Sequence, residues 1–214
     1  MQNDDTDCEG YRSFECRRNM SRCLSLSMQE EASKYIYEIS NEQLQSILSD
    51  LHVPPLPPPL STTSNVSFAS AQDLTPQESY VNYEIGRIGE CIVFQYLRRQ
   101  FETKLSPSTK APMYNVCWLN AIEDSRAAYD LTVDPSSSVG GVRIFVEVKS
   151  SRYDDNNVFQ LSLWEWDFLS QEPTVQYHIY RVFSVLDKQK TRIVILTNIR
   201  RLVELGRVQI CLSI

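Results

Sequence analysis

Positive charge is in short supply, histidine is nearly absent, and no apolar run is long enough to cross a bilayer. The 214 residues carry 21 Lys and Arg against 27 Asp and Glu, a net charge of −6. A field of that sign repels nucleic acid and excludes a strongly basic DNA-coating protein, so a nucleic-acid partner must be met by a local basic patch. The two histidines are His52 and His178, and the six cysteines follow no common zinc spacing. A structural zinc site and a Cys–His nucleophile pair therefore have no support. Runs such as Ile144-Phe145-Val146 and Ile193-Val194-Ile195-Leu196 are strand-sized, far short of the ~20 residues of a membrane span, and no membrane partner is expected. The first residues, Met1-Gln2-Asn3-Asp4-Asp5, are acidic and are not expected to act as a signal peptide. An intracellular setting follows, nucleus or cytoplasm, with reduced thiols.

What is present is a 42% apolar composition, enough for a packed core. The charge is unevenly spread: residues 1–79 hold 5 basic and 12 acidic side chains, whereas residues 80–214 hold 16 and 15. Residues 1–27 read as a disordered acidic leader. In residues 28–51, Ala32, Tyr35, Ile36, Ile39, Leu44, Ile47 and Leu48 recur at roughly helical spacing and predict an isolated amphipathic helix. Residues 52–74 read as a Pro/Ser-rich linker. Its segment His52-Val53-Pro54-Pro55-Leu56-Pro57-Pro58-Pro59 is held extended by proline and serves as a stiff spacer or as a ligand for a polyproline-reading domain. Residues 28–59 are thus the expected docking element for a protein partner.

The folded domain is expected over residues 75–214. Thr75, Pro76 and Glu78 form a capping box with proline at the first helical position, opening a helix to about Phe101. Strands are expected at Asn115 to Leu119, Ala128 to Val133 and Val142 to Lys149, the last two as a hairpin. Ser162 and Glu165 give a second capping box for a short helix, in which Trp164, Trp166 and Phe168 are read chiefly as core, with base stacking as the alternative. Strands at Val175 to Ser184 and Thr191 to Thr197, a helix from Asn198 and a strand from Val208 to Leu212 complete an α/β domain with a mixed sheet.

The strand Ile144-Phe145-Val146-Glu147-Val148-Lys149 carries the chemistry. Side chains alternate, so Glu147 and Lys149 share a face about 7 Å apart along the backbone. Charges in an apolar strand are costly unless paired or bound to something. Asp130, on the preceding strand, can reach Glu147 through the hairpin, and Glu90 borders the apolar stripe of the long helix. Carboxylates gathered this way suit Mg²⁺, and a neighbouring lysine can orient or help deprotonate a water and offset charge on a phosphate. An edge-strand ion pair that discourages aggregation is the alternative use of Glu147 and Lys149.

Several segments then point to a family. Ile85-Gly86-Arg87-Ile88-Gly89-Glu90, Trp118-Leu119-Asn120, Glu123-Asp124-Ser125 and Tyr129-Asp130-Leu131 resemble the C-terminal domain of the Protein NO VEIN family. So do Phe145-Val146-Glu147-Val148-Lys149-Ser150, Phe159-Gln160-Leu161-Ser162 with Glu165-Trp166, and Tyr177-His178-Ile179-Tyr180-Arg181-Val182. The resemblance covers about residues 80–184 with its motifs in order, and places the domain in the PD-(D/E)xK, restriction-endonuclease-like superfamily. It implies an αβββαβ core and a Mg²⁺-dependent, nuclease-like site acting on nucleic acid. Carried over by position, Glu90, Asp130 and Glu147 are the metal ligands, Lys149 the catalytic lysine, and Gln160 a residue for water or phosphate. Tyr129 stands where the superfamily has its proline. The modest basic balance of residues 80–214 and a tail with an acidic leader, a helix and a polyproline run give a second expectation, a catalytically silent nuclease-fold interaction module. The resemblance to the family's eukaryotic members implies a nuclear or regulatory setting for it.

Overall fold

The computed structural model describes residues 26–51, 75–104, 113–123, 125–137, 140–154, 158–171 and 175–209. The leader to residue 25, the polyproline segment and the rest of the linker to residue 74, Asp124, and Cys8, Cys16, Cys23 and Cys211 lie outside the described residues.

In chain order the elements are α1 (Leu26–Ala32), β1 (Ile36–Glu38), α2 (Asn41–Leu48), α3 (Pro76–Leu97), β2 (Tyr114–Trp118), β3 (Leu131–Pro135) and β4 (Ile144–Ser150). They are followed by α4 (Leu163–Leu169), β5 (Gln176–Phe183), β6 (Arg192–Thr197) and α5 (Ile199–Glu204). From α3 to β5 this is the expected αβββαβ order. The six strands form one sheet in the order β1-β6-β5-β4-β3-β2. Only β4 and β5 run parallel. The antiparallel β3–β4 pair is the hairpin expected from the turn-rich sequence between them. The parallel pair needs a crossover, and α4 lies in it.

Alternation along the strands sorts the core into two layers. Ile144, Val146 and Val148 of β4 join Tyr180, Val182, Ile193 and Ile195 under the apolar stripe of α3, formed by Ile85, Ile88 and Ile92. On the other face, Phe145, Tyr177, Ile179 and Leu196 pack with Phe168 and Leu169 of α4 and Ile199 and Leu202 of α5. Both capping boxes form. Thr75 Oγ1 accepts the Glu78 amide at 3.2 Å while Glu78 accepts the Thr75 amide at 2.9 Å. Ser162 and Glu165 do the same at 3.2 and 2.7 Å. Beyond Leu97, α3 widens into a π-helical turn, Arg98–Glu102. It lies so close to β4 that a Cβ on Gly89 would stand 2.8 Å from the Ser150 Cβ, so only glycine fits there.

Residues 28–51 do not form the single isolated helix expected. Tyr35-Ile36-Tyr37, β-prone by its aromatic and branched side chains, breaks the helix, and β1 adds to the sheet with Ile36 opposite Leu196. Ser40 then caps α2, whose Leu44 and Leu48 are buried in the same cluster as α3. Asp50 pairs with Arg99 at 2.8 Å. The apolar face assigned to a docking partner is thus used internally. Two smaller expectations also change. Val208 and Gln209 are not in a strand, and residues 210–214 lie outside the described residues. Trp164 is not core: it is 77% exposed, and Trp166 is half-exposed, while Phe168 does pack inside. Among the described residues, no helix is long and apolar enough to cross a membrane.

Candidate functional site

Asp130 stands immediately before β3, and its contacts bracket Glu147. Its amide donates to the Val146 carbonyl at 2.9 Å, and its Oδ2 accepts the Val148 amide at 2.8 Å. The carboxylate thereby takes the role of a strand carbonyl for β4, holding it beside the one residue between Val146 and Val148. The other oxygen, Oδ1, accepts from Asn120 Nδ2 at 2.8 Å. Asn120 is itself oriented by Ser125, whose amide and hydroxyl donate to its Oδ1 at 3.0 and 2.8 Å.

Glu147 is only 5% exposed. Its Oε1 lies 2.7 Å from Lys149 Nζ, the same-face pairing that strand alternation predicts. Lys149 also reaches both oxygens of Glu165 on α4 at 3.0 Å. Glu165 was legible in the sequence only as a capping acid; in the fold it both caps α4 and holds the lysine. Glu90 approaches from the α3 layer, where its Oε2 accepts the Trp118 indole N–H at 2.7 Å. Trp118 packs against the tilted ring of Phe94 and under the Arg87 guanidinium, 4.6 Å from its ring. Arg87 also donates to the Asn120 and Ala121 carbonyls. Gln160 is exposed on the segment entering α4 and makes no hydrogen bond to the acids. The structure therefore gathers Asp130, Glu147 and Lys149, adds Glu165, sets Glu90 close by, and leaves Gln160 apart.

The electrostatics follow from three acids around one amine in a poorly hydrated site. Burial, and then repulsion from Glu90, pushes the Asp130 carboxyl up to about 7. Burial also drives Glu147 well above the ordinary carboxylate range, only partly offset by Lys149. For Lys149, burial opposes the charge, but the combined pull of Glu147 and Glu165 outweighs it and raises the amine. His178 is half-buried, and burial lowers its imidazole to about 4, so it stays neutral.

Does this donor set suit a divalent cation? Among the described residues, no group of three or more His, Cys, Asp or Glu converges in a way that could hold a metal ion. Asp130 and Glu147 nevertheless form a pair of hard oxygen donors, Asp130 disfavoured as an anion by burial and Glu90, and Glu147 by burial and Asp130. Magnesium commonly takes one or two carboxylates and completes its shell with water. The pair fits that requirement, with Glu90 outside it.

Fold and site together define a class: a mixed-sheet α/β domain with an αβββαβ core and an acid–acid–lysine cluster where a hairpin meets the capped end of a crossover helix. The Protein NO VEIN C-terminal family matches residues 89–196, and the chain belongs to it. No curated protein and no solved structure matches the chain.

Proposed function

We propose that the domain is a Mg²⁺-dependent, nuclease-like domain of the PD-(D/E)xK type, acting on phosphodiester bonds of nucleic acid. The observation that carries this reading is the juxtaposition of Asp130, bonded on both sides of Glu147, with Lys149 Nζ 2.7 Å from the Glu147 carboxylate. Asp130 and Glu147 would hold the cation, with Glu90 a further acid on the Asp130 side. When bound, the cation supplies Lewis acidity and offsets the charge that builds on a phosphate during hydrolysis. The protein's own residues do the rest. Asn120 and the Val148 amide fix the Asp130 carboxylate. Glu165 holds the Lys149 amine in place, where a charged Nζ can orient a water and donate to a phosphate oxygen. Gln160, exposed beside α4, remains able to contact water or phosphate.

The test is calorimetric titration of Mg²⁺ into the wild type and Glu147→Ala, paired with cleavage assays on DNA and RNA in Mg²⁺ and in EDTA. Heat of binding and cleavage are expected in the wild type only, and cleavage is lost in Asp130→Ala. Cleavage that survives in both variants overturns the reading.

A specific observation favours a second reading, a catalytically silent interaction module in a nuclear or regulatory protein. Lys149 is already held by three carboxylate oxygens, and both Asp130 oxygens already accept hydrogen bonds. Such a satisfied network can act as a structural staple. Absence of Mg²⁺ heat, together with Lys149→Met destabilising the fold, would select it.

A further inference from the structure

The connection between β2 and β3 carries Asn120 and Ser125, yet residues 119–123 and 125–130 contain no helix or strand. Something other than a strand ladder must hold it, because a loose connection would let the Asn120 amide leave the Asp130 carboxylate. Its base is closed by the Leu119 amide, which donates to the Asp130 carbonyl at 2.9 Å. Just beyond that bond the chain is pinned from α3. The Arg87 guanidinium donates through Nη1 to the Asn120 carbonyl, and through Nη2 to the Ala121 carbonyl at 2.9 Å. Hydrogen bonds from a charged donor are roughly twice as strong as neutral ones, and two on successive carbonyls fix both the place and the direction of that stretch.

The same guanidinium supports the helical acid. Its central carbon lies 4.6 Å from the centre of the Trp118 ring, and Trp118 Nε1 donates to Glu90 Oε2 at 2.7 Å. Arg87 and Glu90 are three residues apart on α3, hence neighbours on one face of the helix, and the indole contacts both. One side chain therefore touches two routes to the acids. One runs through Asn120, whose Nδ2 donates to Asp130 Oδ1 at 2.8 Å; the other runs through Trp118 to Glu90. Lysine is a poor substitute, because an ammonium has no planar face to lie on an indole while its protons reach two carbonyls. The flat guanidinium fork does both.

We propose that Arg87 is the positioning residue of this site: it sets the Asn120 and Trp118 donors and, through them, the Asp130 and Glu90 carboxylates. The inference rests on the nuclease-like reading for what those acids bind, but their positioning is read without metal or substrate. Two N–H groups report it directly. The Val148 amide is held by Asp130 Oδ2 at 2.8 Å, and the Trp118 indole is held by Glu90. Nuclear magnetic resonance of the metal-free protein follows hydrogen exchange at both, with the amides of β5 and β6 as the reference. Arg87→Ala is expected to speed exchange at both reporters roughly tenfold, as loss of one hydrogen bond to a charged group does, while the reference amides keep their wild-type rates. Arg87→Lys, with the charge kept, gives most of the same loss. Adding Asn120→Ala to Arg87→Ala changes the Val148 rate little further, because both act through one contact. Calorimetric titration then shows Mg²⁺ binding weakened roughly 10- to 100-fold in Arg87→Ala, the range for loss of a group that orients a metal ligand. Unchanged reporter rates in Arg87→Ala overturn the proposal. So does faster exchange that is uniform across β5 and β6, which is loss of stability alone, and so does full recovery by Arg87→Lys, which is charge alone. Equal Mg²⁺ affinity in the wild type and Arg87→Ala overturns it as well. No Mg²⁺ heat in the wild type, with selective exchange at the two reporters, supports the positioning role while counting against the nuclease reading.

Discussion

Glu147 and Lys149 depend on one another because the Glu147 side chain is almost wholly buried and that of Lys149 largely so. Replacing Lys149 by Met leaves a buried carboxylate without its nearest counter-charge. A loss of about 3–5 kcal/mol is expected, measured by urea unfolding, and it should grow as pH rises because Glu147 is then pressed harder to ionise. Asp130 gives a distinct pH signature. Its carboxyl is raised from 3.8 to about 7, by burial first and Glu90 second. Between those values the native state keeps a proton that the unfolded chain has released, so stability falls as pH rises through this window. The contribution is roughly 1.4 kcal/mol per pH unit. Asp130→Asn should flatten the slope of Tm against pH between about 4 and 7 relative to the wild type; an unchanged slope would show that Asp130 is not the titrating group. Glu147 and Lys149 could be paired from the sequence because strand alternation is a fixed geometric rule. Glu165 and Asn120 could not be assigned there, since their roles depend on which surface α4 and the β2–β3 connection present to β4.

At the scale of elements, the contact between α3 and β4 is the tightest constraint. Gly89→Ala would drive a methyl group into Ser150, whose Cβ would be 2.8 Å away. Either α3 or β4 must shift, with an expected cost of about 1–3 kcal/mol, read as a lower Tm. Because Glu90 is the next residue, the same variant should disturb its hydrogen bond to Trp118, visible as a change in tryptophan fluorescence. Ser162→Ala removes one half of the α4 capping box and should cost about 1 kcal/mol. It also frees the turn that carries Glu165. Most elements were readable from local signals: capping boxes marked the starts of α3 and α4, and branched, alternating runs marked β3 to β6. Residues 28–51 were not, because Tyr35-Ile36-Tyr37 fits a helical stripe almost as well as a strand, and pairing with β6 decides the matter.

For the whole molecule, the same segment acts as a built-in edge. β1 pairs with β6 through Ile36, Tyr37 and Glu38, covering a strand that would otherwise offer free backbone groups to another chain. Tyr35 and Ile39 mark the hydrogen-bonded positions of this antiparallel ladder, so Tyr37 between them is the next. Replacing Tyr37 with proline removes an amide from the pairing and should promote concentration-dependent association, detectable by light scattering. A divalent cation that binds only the folded state must raise Tm by mass action. Mg²⁺ should therefore stabilise the wild type and leave Glu147→Ala unmoved.

The sequence by itself determined the alternation that puts Glu147 and Lys149 on one face, the capping boxes that start α3 and α4, and the order of elements from α3 to α5, because these depend on neighbours a few residues apart. Only the tertiary structure decided that Asp130 bonds on both sides of Glu147, that Glu165 closes on Lys149, that Trp164 faces solvent, and that residues 36–38 complete the sheet. Each of these joins segments distant along the chain, and their meeting is fixed by how the layers pack over the sheet.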